Sequence, residues 1–176
     1  MFDEIFNDIY VSSLPTVIIA TLVAIFVWSI MGAVLKQQMR MISSVVVVLS
    51  VAVILYTTVF SRGETAIGAQ FAPFASFVRA IEQPEAYRSM LMNVILFVPL
   101  GLALPFIFRS KVSKRVLLAV LSGLVLSVMI EFSQYVFALG FAETDDVICN
   151  TLGTAVGSCA YPLSLKLRGF FKTIRK

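Results

Sequence analysis

Long runs of apolar residues constrain this chain more than any other feature of its sequence. About five runs approach the roughly 20 residues that a helix needs to cross a bilayer, and they fill most of the 176 positions. Hydrophobic residues make up 59% of the chain and charged residues only 14%, whereas a typical soluble domain carries roughly 25% charged residues. We therefore predict an all-α, polytopic membrane bundle of about five transmembrane helices in a single helical domain.

The chain divides by composition into consecutive segments, some spanning and some not. These are 1–13 (an N-terminal amphipathic segment), 14–60 (spans one and two), 61–89 (a charged, non-spanning segment), 90–165 (spans three to five) and 166–176 (a basic tail). The first segment is typical of an interfacial helix, with a short lead-in to span one as the alternative. In 61–89 we expect an interfacial or partly re-entrant helix after Pro73, or a plain loop helix.

The distribution of basic residues predicts the orientation in the membrane. If the N-terminus lies outside, every Lys and Arg except Arg62, Arg79 and Arg88 falls on the cytoplasmic side, and every acidic residue outside the spans falls on the outer side. This is the partition that the positive-inside rule describes, so we expect an N-out, C-in membrane protein. The same rule explains the net charge of +4 without a nucleic-acid partner.

Polar residues inside the spans identify a candidate site. Glu131 lies within span four, where a carboxylate costs about 2.5–3.5 kcal/mol on insertion scales, which favours a functional role. In the predicted topology the polar residues of spans three to five share one depth near the outer leaflet. The pocket that they predict for ligand binding comprises Asn93, Glu131, Gln134, Asp145, Asp146 and Asn150.

Four members of that set also have a purely structural interpretation. Asn93 and Asn150 suit interhelical hydrogen bonds. Asp145 and Asp146 suit a helix start, where negative charge is favourable. Glu131 is harder to explain as a structural residue, because its membrane segment contains no Lys or Arg that could pair with it.

Small residues and prolines predict close helix packing. Gly153 and Gly157 form a GxxxG pair on the face that carries Asn150, so a neighbouring helix, with span four as the candidate, is expected to pack there. Pro15 suits the first turn of span one. Pro99, together with Gly101 in span three, marks a kinked, closely packed helix.

The residue inventory restricts the possible chemistry. The chain has no histidine, which excludes histidine triads and histidine metal ligands. Cys149 and Cys159 are about 15 Å apart along one predicted helix, beyond disulfide reach, and are assigned to packing. Carboxylates, hydroxyls and amides remain, so any metal here would be a hard cation such as Mg²⁺ on oxygen ligands.

Several short motifs resemble those of the VanZ-like family. Asn93 is followed by Phe97, Val98, Pro99, Leu100 and Gly101; Glu131 by Gln134; and Asp145-Asp146 by Asn150-Thr151-Leu152-Gly153 and Gly157. Gln70-Phe71-Ala72-Pro73-Phe74 is a weaker match to a further element of that family. Relatives often carry an arginine shortly before the acidic pair, but residues 139–143 contain no basic residue. If that arginine holds an anion in the relatives, either Arg62, Arg79 or Arg88 replaces it in this chain or the ligand differs.

The resemblance implies a bacterial plasma-membrane protein whose relatives lower susceptibility to teicoplanin and related lipoglycopeptides. Three hypotheses follow. The first is an outer-leaflet protein that binds membrane lipid, a lipid-linked peptidoglycan precursor or the antibiotic. The second is a membrane enzyme that acts on a lipid-linked or phospholipid substrate, with Glu131 and Asp146 as catalytic residues and with Asp145, Asp146 and Asn150 holding a cation such as Mg²⁺. The third is a small transporter or channel, oligomeric because five spans are few for a monomer, with Glu131 in its path.

Overall fold

The structure is a computed structural model that describes residues 2–35, 37–61 and 68–174. Its elements are α1 (Phe2–Val34), α2 (Met39–Leu55), a π-helical turn (Tyr56–Phe60), β1 (Gly68–Gln70), α3 (Ala75–Glu82), α4 (Pro84–Ile107), α5 (Val112–Val136), β2 (Phe141–Glu143), α6 (Thr144–Ser158) and α7 (Ala160–Ile174). Predictions that concern the side chains of 1–14, or Arg62 and Glu64, lie outside the described residues. The chain folds as an all-α membrane bundle, as predicted.

Four helical segments in the described part of the chain are long and apolar enough to cross a bilayer: Pro15–Val34, Met39–Phe60, Ala86–Ile107 and Val112–Val136. They carry many large apolar side chains on their outward surfaces, including Ile19 and Val48. In water such surfaces are a liability, but in a bilayer they are the faces that contact lipid.

The predicted fifth span is divided into α6 and α7 at Cys159. Pro162 has no N–H to donate to the Ser158 carbonyl four residues earlier, so the helix tightens there. The Cys159 N–H instead reaches the Val156 carbonyl oxygen at 3.3 Å. Each of the two helices has 15 residues, which is short for a single span.

Two helices begin earlier in the chain than the spans predicted for them. The first apolar span does begin at Pro15, but α1 continues as one helix from Phe2, so that proline lies inside the helix and not in its first turn. Span three begins as α4 at Pro84 rather than near Met90. Proline is favoured in a first helical turn, where its missing N–H has no intrahelical partner to lose.

The glycine pair of α6 packs against α4 rather than against span four. A Cβ atom added at Gly153 would meet the backbone of Val94, and one added at Gly157 would meet the backbone of Val98. On the facing helix, a Cβ at Gly101 would meet the Thr154 backbone. The two helices run parallel in backbone contact, so only glycine fits at these points. Pro99 lies on the outward surface of α4, away from this contact.

An apolar core forms where α2, α4 and α5 meet. It contains Ile54, Phe97, Leu100, Ala119 and Ile130, all buried. Together with the α4–α6 contact, this core fixes the helices that carry the candidate site.

The non-spanning segment adds a small feature that the all-α prediction lacked. β1 pairs in parallel with β2, with Gly68 opposite Phe141 and Gln70 opposite Glu143. The short helix α3 follows β1 and begins after Phe74, whose φ of 66° lies in the left-handed region. β1, α3 and β2 therefore gather at the end of the bundle where α4 and α6 begin and α5 ends.

Candidate functional site

An apolar cleft of about 370 Å³ opens beside the C-terminal end of α5. It is lined by Phe71, Val128, Glu131, Phe132, Tyr135, Ala142, Glu143, Thr144 and Val147. Val128, Phe132 and Tyr135 are about half exposed or more, and they belong to a helix that qualifies as a membrane span. The cleft is thus open on a lipid-facing side of the bundle.

Glu131 places a carboxylate in the wall of this cleft. Its side chain is only 9% exposed, and its Oε2 accepts a hydrogen bond of 2.9 Å from the Glu143 N–H. An intramolecular hydrogen bond of this kind contributes about 0.5–1.5 kcal/mol. Glu131 therefore joins β2 to α5. Because it also lines the cleft, it can contact a molecule bound there.

Gln134 faces α2 and not the cleft beside Glu131. Its Nε2 donates to the Thr58 carbonyl oxygen at 2.9 Å, in the π-helical turn at the end of α2. Its Oε1 is buried without a hydrogen-bond partner in the described part of the chain. Gln134 thus joins α5 to α2 and is not among the cleft-lining residues.

Asp145 caps helix α3 from across the structure. Its two carboxylate oxygens accept hydrogen bonds from the N–H groups of Phe74 and Ser76, both at 2.6 Å. The side chain is 1% exposed. A carboxylate at a helix N-terminus satisfies N–H groups that lack intrahelical partners and offsets the helix dipole. Asp145 therefore holds α3 in place with both of its oxygens.

A second, polar pocket of about 80 Å³ lies next to α3. It is lined by Ser76, Arg79, Ala86, Ser89, Met90, Glu143 and Asp146. Adjacent helical residues point about 100° apart, so Asp146 reaches this pocket while Asp145 faces α3. Asp146 also has an interaction partner of its own.

The two asparagines lie deeper in the bundle. Asn150 is 2% exposed, and its Nδ2 donates to the Ser127 hydroxyl of α5 at 2.8 Å. The Oδ1 of Asn150 and the Nδ2 of Asn93 are buried without a partner among the described residues. Neither side chain lines one of the two cavities. The six predicted site residues are therefore distributed over several places instead of sharing one pocket.

The residues predicted to hold a hard cation do not form a metal site. Asp145 already uses both oxygens on backbone N–H groups, and Asn150 lies deeper in the bundle and lines neither of the two cavities. Among the residues that the structure describes, no three acidic or cysteine side chains converge on a common point. The arrangement therefore does not fit a Mg²⁺-dependent reaction at these residues.

Glu143 and Arg79 are the site residues that sequence reasoning missed as a pair. The Arg79 Nη2 lies 2.9 Å from the Glu143 carboxylate, and Glu143 also accepts a hydrogen bond from the Ser76 hydroxyl. The two partners are 64 residues apart in sequence. The only sequence signal was indirect: a basic residue was missing before the acidic pair, and Arg79 was one of three candidates to replace it.

Comparison with known proteins supports the family resemblance that the short motifs indicated. The sequence model of the VanZ/LLP1 family matches residues 16–165. The chain belongs to the VanZ/LLP1 family. Both cavities of this VanZ/LLP1 chain lie within the matched stretch.

A curated relative is similar over a shorter stretch. The protein named Protein VanZ, from Enterococcus faecium, is 40% identical over 80 residues. That alignment spans 46% of this chain and 48% of the relative, so the chain covers about half of that protein. No solved structure matches the chain.

Proposed function

We propose that this protein lowers bacterial susceptibility to teicoplanin and related lipoglycopeptides by binding an amphiphile in the apolar cleft. The bound molecule is a lipid-linked component of the cell envelope or the lipid tail of the antibiotic. The observation that carries the proposal is a 370 Å³ cavity in a lipid-facing wall with a buried carboxylate, Glu131, beside it. An apolar cavity with few polar groups is the usual form of a site for a largely apolar ligand.

The proposed topology is N-out, C-in, with the α6–α7 unit as the fifth span of a plasma-membrane protein. Two of the contacts that support it occur at the basic end of the bundle. Arg168 donates to the Gly32 carbonyl oxygen at 2.7 Å, and the guanidinium of Arg115 lies 5.0 Å from the Tyr161 ring centroid. The ends of α1 and α7 thus meet at one side, as a cytoplasmic basic face requires.

In this topology the cleft opens at the outer leaflet. Lipid-linked wall precursors and the lipoglycopeptide that binds them both meet the membrane at this depth. A protein that binds either the precursor or the antibiotic there would keep the two apart. It would weaken the antibiotic's action without altering the antibiotic's peptide target.

The test fills the cleft with a larger side chain and leaves every charged residue unchanged. Val128 lines the cleft. Val125 lies one turn earlier on α5 and is similarly exposed, but it is not among the residues that line the cleft. In a strain that lacks the gene, we expect wild type and Val125→Trp to raise the minimal inhibitory concentration of teicoplanin at matched membrane levels. Val128→Trp is expected to lose at least three quarters of that increase. Equal resistance from both tryptophan variants would count against the cleft.

A second arm separates the two ligands. If the cleft binds the antibiotic's lipid tail, wild type protects against teicoplanin but not against a glycopeptide without a lipid tail. If it binds a lipid-linked precursor, protection extends to both drugs. Glu131→Gln retains an oxygen acceptor for the Glu143 N–H but is not titratable, so a loss of protection in this variant assigns the effect to the carboxyl group rather than to the strand contact.

A further inference from the structure

The C-terminal end of α7 extends past the helix that it packs against. Arg168 of α7 donates to the Gly32 carbonyl oxygen of α1 at 2.7 Å, and α1 ends soon afterwards at Val34. Residues 169–174 of α7 are all exposed, and nothing lies within 4 Å of a Cβ atom added at Gly169. This end of α7 therefore stands clear of the bundle formed by the described residues.

Large apolar side chains share one face of this exposed helix end. Phe170, Phe171 and Ile174 are 60%, 42% and 68% exposed. Since successive residues of a helix point about 100° apart, these three side chains and Leu167 fall within about 100° of the helix circumference. A helix with a continuous apolar face is stable when a partner covers that face. The described part of the chain supplies no such cover, so the partner lies outside it.

Two lysines flank the apolar face. Lys166 and Lys172 are both exposed, and the helical spacing places them outside the apolar sector, one on each side of it. No acidic residue occurs in the three sequence stretches that supply this end of the bundle, which are 9–63, 86–130 and 147–176. The positive charge of the two lysines is therefore not offset by carboxylates of these stretches.

Further basic residues lie at the same end of the bundle. The guanidinium of Arg115, in the first turns of α5, lies 5.0 Å from the ring centroid of Tyr161 in α7. This contact brings the exposed side chains of Arg109, Lys111 and Lys114 to the end of the bundle that carries the lysines of α7. Clusters of Lys and Arg next to a membrane span attract anionic lipid.

We propose that the C-terminal end of α7 binds the surface of an anionic lipid leaflet. Phe170, Phe171 and Ile174 insert at the boundary between head groups and acyl chains, as the apolar face of an interfacial helix does. Lys166 and Lys172 extend from the flanks of that face to lipid phosphates. The proposed topology makes this the cytoplasmic leaflet. The apolar cleft lies near the other end of the bundle, so this inference goes beyond the proposed function and does not depend on the cleft.

The experiment places a single tryptophan on the apolar face. The chain has one tryptophan, so Trp28→Phe with Phe171→Trp leaves one reporter in the full-length protein. Nanodiscs contain equimolar phosphatidylcholine and phosphatidylglycerol, and either the zwitterionic or the anionic lipid carries bromine on its acyl chains. We expect both lipids to quench the reporter, and brominated phosphatidylglycerol to quench it roughly twofold more strongly. High salt should reduce this difference, because it screens exposed charges.

Paired lysine variants of the reporter protein test the role of α7. Lys166→Gln with Lys172→Gln is expected to make the two lipids equal quenchers, whereas Lys166→Arg with Lys172→Arg keeps the preference. The matched control, Lys111→Gln with Lys114→Gln, removes the same charge from exposed positions on α5 and is expected to keep most of it. Equal loss in both glutamine pairs would assign the preference to the basic end as a whole and overturn the role of α7. Because all four lysines are exposed, unchanged heat resistance in detergent is expected and shows that each variant is folded.

Three other results would overturn the proposal. Equal quenching by the two lipids when Lys166 and Lys172 are present would remove the preference for anionic lipid. Quenching by aqueous iodide and by neither lipid would place the end of α7 in water. Protection from iodide without quenching by either lipid would assign the apolar face to a protein partner such as a second copy of this chain. The resistance test with Val128→Trp concerns only the cleft, so either proposal can fail without the other.

Discussion

The α4–α6 contact and the end of the bundle that holds the cavities are built in different ways. Along the contact, Gly101, Gly153 and Gly157 let two backbones touch. At the cavity end, three carboxylates hold an added strand and helix through hydrogen bonds: Glu131, Glu143 and Asp145. The first region depends on shape and tolerates no added atom, whereas the second depends on acceptors for N–H and O–H groups and tolerates graded polar changes.

The largest effect is expected from an added side chain in the glycine contact. Gly153→Leu would drive a side chain into the backbone of Val94. Overpacking typically costs about 1–3 kcal/mol, and we expect the upper end of that range or more because the obstructing atoms belong to the backbone. We expect little folded protein in the membrane fraction and a strong loss of heat resistance in detergent. Gly169→Leu is the matched control, because nothing lies within 4 Å of a Cβ atom at that position. Equal stability of the two variants would mean that the helices do not touch there.

A smaller and local effect is expected at the α3 cap. Asp145→Ala removes an acceptor from the Phe74 and Ser76 N–H groups, which costs about 2–3 kcal/mol, mostly as detachment of α3. Hydrogen–deuterium exchange should show faster exchange over 74–82, while α4 and α6 keep their protection. Asp145→Asn keeps one acceptor oxygen, so its exchange rate over 74–82 should lie between those of wild type and Asp145→Ala. Loss of protection throughout the bundle would show that the two regions are not independent.

The smallest effect is expected from a tryptophan substitution that reports how deep α3 lies in the membrane. Its exposed face carries apolar side chains, including Val78 and Ile81, the latter 84% exposed, which is typical of a helix in the membrane interface. The chain has one tryptophan, so Trp28→Phe with Ile81→Trp gives a single reporter on α3. We expect brominated lipids labelled near the head group to quench it best.

Wild type supplies the reference for that measurement, because Trp28 lies within the span Pro15–Val34. Its emission should be quenched best by lipids brominated deeper in the chain. A tryptophan at position 81 that is quenched by aqueous iodide and by neither lipid would place α3 in water, away from the membrane.

Local sequence signals predicted much of what local physics controls. The GxxxG pair correctly indicated close packing, because glycine spacing is visible in the sequence, but its partner is α4, and the choice of partner depends on how several helices fit together. Glu131 was identified because a carboxylate in an apolar run is conspicuous. Its acceptance of the Glu143 N–H was not predictable, since that contact needs the turn after α5 to carry the chain back to the helix.

The sequence by itself determined that this chain is a helical membrane protein and which polar residues lie within or next to its spans. Apolar length and charge are properties of each segment, and the bilayer acts on each segment directly. Only the tertiary structure decided that the polar residues serve separate purposes, with Glu131 in an apolar cleft, Asp145 under α3 and Asp146 in a polar pocket. It also brought Arg79 to Glu143, because the parallel pairing of β1 with β2 and the capped start of α3 join segments that are far apart in the chain.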